Sequence, residues 1–84
     1  MYIHLGSNTV VNLKDVIAII DMDKTTTSKN TRDFLSYAQK NGMIINISEE
    51  LPKSAVICNY HGINKVYISQ ISPATLYGRY FRDK

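Results

Sequence analysis

Residues Tyr2 to Leu5 alternate aromatic, apolar and polar character and read as a short strand. Gly6-Ser7-Asn8 is a turn, and Thr9-Val10-Val11 continues as a second strand, so residues 2–12 resemble a hairpin. Val16-Ile17-Ala18-Ile19-Ile20 is unbroken apolar and largely β-branched, the pattern of a strand covered on both faces. After a polar connection, a helix is predicted from about Ser28 to Asn41. Thr31, Phe34, Leu35 and Ala38 fall at i, i+3, i+4 and i+7 and form one core-facing stripe, in which Phe34 and Leu35 are expected core residues. Lys29, Asp33, Ser36 and Lys40 line the opposite side. Thr27, Ser28 and Asn30 are N-cap candidates, and Gly42 suits the left-handed position that ends the helix.

Strands are expected at Met43–Ile47, Ser54–Cys58 and Lys65–Ile71, the last two joined by a turn over His61-Gly62-Ile63-Asn64. Ser72 as N-cap and Pro73 at the first helical position open a short terminal helix to about Tyr80. The expected fold is α+β: a small mixed or antiparallel sheet of five to six strands, one long central helix and a short C-terminal helix. Residues 1–84 form a single domain in this reading. One long helix covers one face of such a sheet. The apolar strands 16–20 and 55–58 then call for a second layer, either a neighbouring subunit or the terminal helix. The neighbouring subunit is the expected cover.

Composition narrows the function more than the fold. A chain of 84 residues buries only about 60–65% of the surface its unfolded form exposes, so a staple is expected. Cys58 is the only cysteine, which excludes an internal disulfide and leaves a partner subunit. No apolar run reaches the ~18 residues of a membrane span, and Met1–Gly6 lacks the basic and apolar regions of a signal peptide. A cytoplasmic location is the expectation. The net charge of +3 permits nucleic-acid binding without requiring it. Six tyrosines against two phenylalanines and no tryptophan favour amphipathic contact surfaces. Tyr77, Tyr80 and Phe81 are read as packing residues.

Two arrangements invite an enzymatic or metal reading. Asp21-Met22-Asp23-Lys24-Thr25 follows an apolar strand, as does the DxDxT motif of haloacid-dehalogenase phosphatases. The chain is too short for that family's parallel sheet, and Glu49-Glu50 stands in the wrong context for its downstream acidic pair. Cys58 and His61 have C-x-x-H spacing, but with His4 they make three candidates and no second close pair. No catalytic residue, cofactor or metal is assigned.

Met1-Tyr2-Ile3-His4-Leu5-Gly6, Val16-Ile17-Ala18-Ile19, Pro52-Lys53-Ser54-Ala55-Val56 and Ser72-Pro73-Ala74-Thr75-Leu76, in this order and spacing, resemble the extracellular-matrix (biofilm) regulatory proteins of Gram-positive bacteria. The resemblance is closest to their RemB branch, related to RemA, and spans nearly the whole chain. It implies a transcriptional regulator of biofilm-matrix genes that binds double-stranded DNA as a homo-oligomer, with a ring as one form of assembly. Relatives of the RemA type contact DNA through arginines placed before the Ala-Val strand. That segment here is Leu51-Pro52-Lys53, so the resemblance implies Lys53, with Lys14 and Arg79, as the DNA-binding residues. The competing expectation is a protein-interaction module that modulates a DNA-binding relative without touching DNA.

Overall fold

A computed structural model describes residues 1–22 and 29–83. In chain order come β1 (Tyr2–Gly6), β2 (Thr9–Asn12), a 3-10 turn (Leu13–Asp15), β3 (Val16–Asp21), α1 (Lys29–Lys40), β4 (Ile44–Asn46), β5 (Ser54–Tyr60), β6 (Ile63–Ser69) and α2 (Pro73–Asp83). All six expected strands form, but they divide into two sheets rather than one. Among the described residues β1 and β2 pair with each other alone, and the second sheet has the order β3-β5-β6-β4. β3, β5 and β6 are antiparallel in sequence of position, and β4 joins β6 in parallel. The helices are also more equal than expected: α1 has 12 residues and α2 has 11.

The hairpin stays apart because its inward residues make one strongly apolar face. Ile3, Leu5, Val11 and Leu13 are buried against Val56, Cys58 and Tyr67 of the larger sheet, with Leu76 of α2 closing the cluster. Face-on packing removes all four side chains from water, whereas extending the sheet edge would leave half its hairpin face wet. Ser69 Oγ donates to the Leu5 carbonyl at 2.7 Å and fixes the hairpin on the sheet. On the opposite face, Ala38 of α1 is fully buried with Ala55, Val66 and Ile68. The predicted α1 stripe faces the core, although Phe34 and Leu35 are only half-buried, so truncating either costs less than removing a fully buried side chain.

Both faces of the four-stranded sheet are therefore covered within one chain, by α1 on one side and by the hairpin with α2 on the other. This corrects the expectation that a neighbouring subunit supplies the second layer. β3 also departs from its expected double coverage. It is an edge strand, its residues are mostly half-buried, and Ile17 is 62% exposed in a bulge between Val16 and Ala18.

Local signals explain the turns. The β5–β6 turn takes two residues, His61 and Gly62, rather than the four expected. Both have positive φ, 52° and 88°, the two-residue type whose twist suits a hairpin. Asn59 Oδ1 accepts the Gly62 amide at 3.1 Å, and Asn59 Nδ2 donates to Asn64 Oδ1 at 2.8 Å. At the end of α1, the Gly42 amide donates to the Gln39 carbonyl and the Met43 amide to the Ala38 carbonyl. Those two bonds are a Schellman cap, with Gly42 at φ 68°. A Cβ there meets no atom within 4 Å, so Gly42→Ala pays conformational strain alone. The expected loss is about 1–2 kcal/mol by denaturant unfolding. Of the N-cap candidates, Asn30 lies inside α1, and Thr27 and Ser28 lie outside the described residues.

Candidate nucleic-acid interface

Lys53 is held by its backbone at one end of the four-stranded sheet. Its amide donates to the Ser69 carbonyl at 2.8 Å, and its carbonyl accepts the Met22 amide at 2.9 Å. The preceding loop is tied down as well. Asn46 Oδ1 accepts the Ser48 amide, Ser48 Oγ donates to the Glu50 carbonyl, and Gln70 Oε1 accepts the Glu49 amide. The Lys53 side chain is exposed on this rigid edge. Among the described residues, Glu49 and Glu50 are exposed in the same loop, and Asp21 pairs with the next residue, Ser54, across the strands.

Lys14 is at the other end of β3. Asn12 Oδ1 accepts its amide at 3.2 Å, which fixes the 3-10 turn, and its side chain is exposed. The six residues of β3 separate it from Lys53 by roughly 20 Å. Arg79 is engaged with the hairpin. It is half-buried on α2, and its Nη1 donates to the His4 carbonyl at 2.7 Å, tying α2 to the hairpin. One chain thus holds Lys53 and Lys14 at opposite ends of β3.

The outward side of α1 carries a basic group absent from the expected set. Lys29, Arg32 and Lys40 face solvent with one acid, Asp33, which lies 4.0 Å from Lys29. Arg32 and Lys40 are two turns apart on this surface. The helical spacing of these charges was visible in the sequence, but nothing there weighed it above the segment before β5.

The other arrangements separate as well. Asp21 ends β3, and Asp23, Lys24 and Thr25 lie outside the described residues. β3 is an edge strand beside an antiparallel neighbour, which is not the central parallel strand the phosphatase motif requires. Cys58 is buried in the core, while His61 is exposed at the turn. Tyr77 reaches the sheet, its hydroxyl donating to the Ile19 carbonyl at 3.4 Å. The side chains of Tyr80 and Phe81 lie outside the described part.

Burial pushes the Cys58 thiol up to about 11, with the Asp15 charge adding to the effect. Burial also raises the Tyr60 hydroxyl well above its ordinary range, helped by a hydrogen bond with Tyr67. Unfolding releases the Cys58 thiol to ionise at lower pH, so its contribution to stability is complete below about pH 9 and is lost as pH rises through 11. The melting temperature is expected to fall over this window. Cys58→Ala flattens the fall.

Among the described residues no helix is long and apolar enough to cross a membrane. Residues 2–80 match the RemA-like family, described as extracellular matrix regulatory protein A-like. Extracellular matrix regulatory protein B of Bacillus subtilis (strain 168) is 34% identical over 76 residues, spanning 90% of this chain and 85% of that protein.

Proposed function

Because the chain belongs to the RemA-like family of extracellular matrix regulatory proteins, we propose that it is a cytoplasmic, non-enzymatic regulator of matrix (biofilm) genes that binds double-stranded DNA as a homo-oligomer. The observation that carries this reading is the match over nearly the whole chain to a protein named for matrix regulation. Lys53 is the leading phosphate contact, because its backbone is fixed and its side chain is exposed. Arg79 and Lys14 complete the proposed set. The separation of Lys53 from Lys14 in one chain makes oligomerisation part of the proposal. Repetition multiplies a weak contact, since each neutralised phosphate releases counterions.

The second reading is an interaction module that acts on a DNA-binding relative. The acids flanking Lys53 favour it, because Glu49, Glu50 and Asp21 oppose a phosphate at that end of the sheet. A salt-titrated binding assay on the purified protein with duplex DNA separates the two. The DNA-binding reading expects affinity that falls steeply with salt. Absence of binding at low salt hands the function to the interaction module.

A further inference from the structure

Leu51 is 83% exposed, the most exposed large apolar side chain among the described residues. Its loop is nonetheless fixed. Ser48 Oγ holds the Glu50 carbonyl just before it, and the Lys53 amide is bonded to Ser69 just after it. A rigid loop loses little conformational freedom on docking. In sequence the leucine follows two exposed acids, Glu49 and Glu50. A matching hollow lies between α1 and the larger sheet. This cleft of about 260 Å³ is lined by Ile44 and Ile68 of the sheet, by Leu35, Ser36 and Gln39 of α1, and by Met22. It is smaller than the roughly 300–1,000 Å³ of small-molecule sites and suits a side chain. Arg32 and Lys40 stand one turn to either side of Ser36 on the exposed surface of α1. Among the described residues neither cation has an ion-pair or hydrogen-bond partner, and the Glu49 and Glu50 carboxylates have none either.

We propose that Leu51 of one copy of this chain seats in the α1 cleft of a second copy, with Glu49 and Glu50 set against Arg32 and Lys40 at its rim. Within one chain Leu51 stays in solvent, so the contact is made between copies. The occupant matches the cleft in two independent ways. An apolar knob meets a largely apolar lining, and its burial removes both from water. Two acids meet two unpaired cations, which sets the orientation of the loop and disfavours the reverse fit. Every copy carries both knob and cleft, so the contact repeats from copy to copy. This inference rests on the self-association in the proposed function and supplies its surface. It also bears on Lys53. The acids that oppose a phosphate there are offset by the cations of the second copy, which leaves the lysine charge to act on DNA.

A loop seated in a cleft is a small interface, so dissociation in the micromolar range is expected. Sedimentation velocity from about 1 to 100 μM spans that range. Leu51→Asp, Ser36→Phe, the loop reversal Glu49→Lys/Glu50→Lys and the helix reversal Arg32→Glu/Lys40→Glu are compared with wild type. All these positions are exposed, so each variant is expected to fold, and circular dichroism checks it. Leu51→Asp and Ser36→Phe weaken association at least about tenfold, the first by removing the apolar knob and the second by filling the cleft. Each reversal alone is monomeric over the range. An equimolar mixture of the two reversals associates as wild type does, because the altered loop then meets the altered helix and the unaltered loop the unaltered helix. A wild type monomeric at every concentration overturns the proposal. So does association unchanged by Leu51→Asp or by Ser36→Phe, which locates self-association elsewhere and leaves the proposed function standing. A mixture that stays monomeric overturns the pairing of loop with helix. Association that responds as expected in a protein that binds no duplex DNA upholds the contact and refutes only the DNA reading.

Discussion

Leu76→Ala is expected to lower the melting temperature by about 10–30 °C, enough to leave much of the protein unfolded under warm conditions. Leu76 is fully buried where α2 meets the hairpin and the sheet. Truncating such a leucine costs about 2–5 kcal/mol, from lost transfer energy and from the cavity left behind. A chain of this size holds only about 4–13 kcal/mol in total. The result bears on architecture as well as stability. If α2 and the hairpin cover the second sheet face within each chain, the loss is the same at every protein concentration. Were a neighbouring subunit the cover, dilution alone would reproduce it. Tyr37→Ala serves as the control: Tyr37 is 58% exposed on the outer side of α1, and a change within about 0.5 kcal/mol is expected. Thermal unfolding at two protein concentrations decides the matter.

Lys53→Ala is expected to give the largest change in function: weaker DNA binding and a shallower salt dependence. The substitution recurs in every subunit, so the losses multiply. Each phosphate contact removed flattens the plot of log affinity against log salt by about 0.9. A drop in affinity with unchanged slope would point to a structural effect instead. The flanking acids supply the converse test. Glu50→Gln removes a repelling charge from the same loop and is expected to tighten binding at low salt, with a gain that shrinks as salt screens the repulsion. If Lys53→Ala changes neither affinity nor slope in a protein that binds DNA, the contact belongs to other cations. Arg32 and Lys40 on the solvent face of α1 are then the next to replace.

The sequence by itself determined the elements, because their signals are local. The Thr31, Phe34, Leu35 and Ala38 stripe marked the inward side of α1, Gly42 marked its end, and Ser72-Pro73 marked the start of α2. Alternation or apolar runs marked all six strands. The order and spacing of four segments carried the family resemblance that the relatives confirm. Partner choice is not local, and only the tertiary structure decided it. Nothing in Tyr2–Asn12 says whether its hairpin extends a sheet edge or lies across a face. That depends on Ile3, Leu5, Val11 and Leu13 meeting Val56, Cys58 and Tyr67 from distant parts of the chain. The run Val16–Ile20 reads equally as a central strand or as an apolar edge, and the insertion of β5 and β6 between β3 and β4 put it at the edge. Lys14 and Lys53 fell at opposite ends of β3 for the same reason. Sequence spacing fixes the period of a strand and the stripe of a helix, whereas the neighbours of each are fixed by which apolar faces bury one another best.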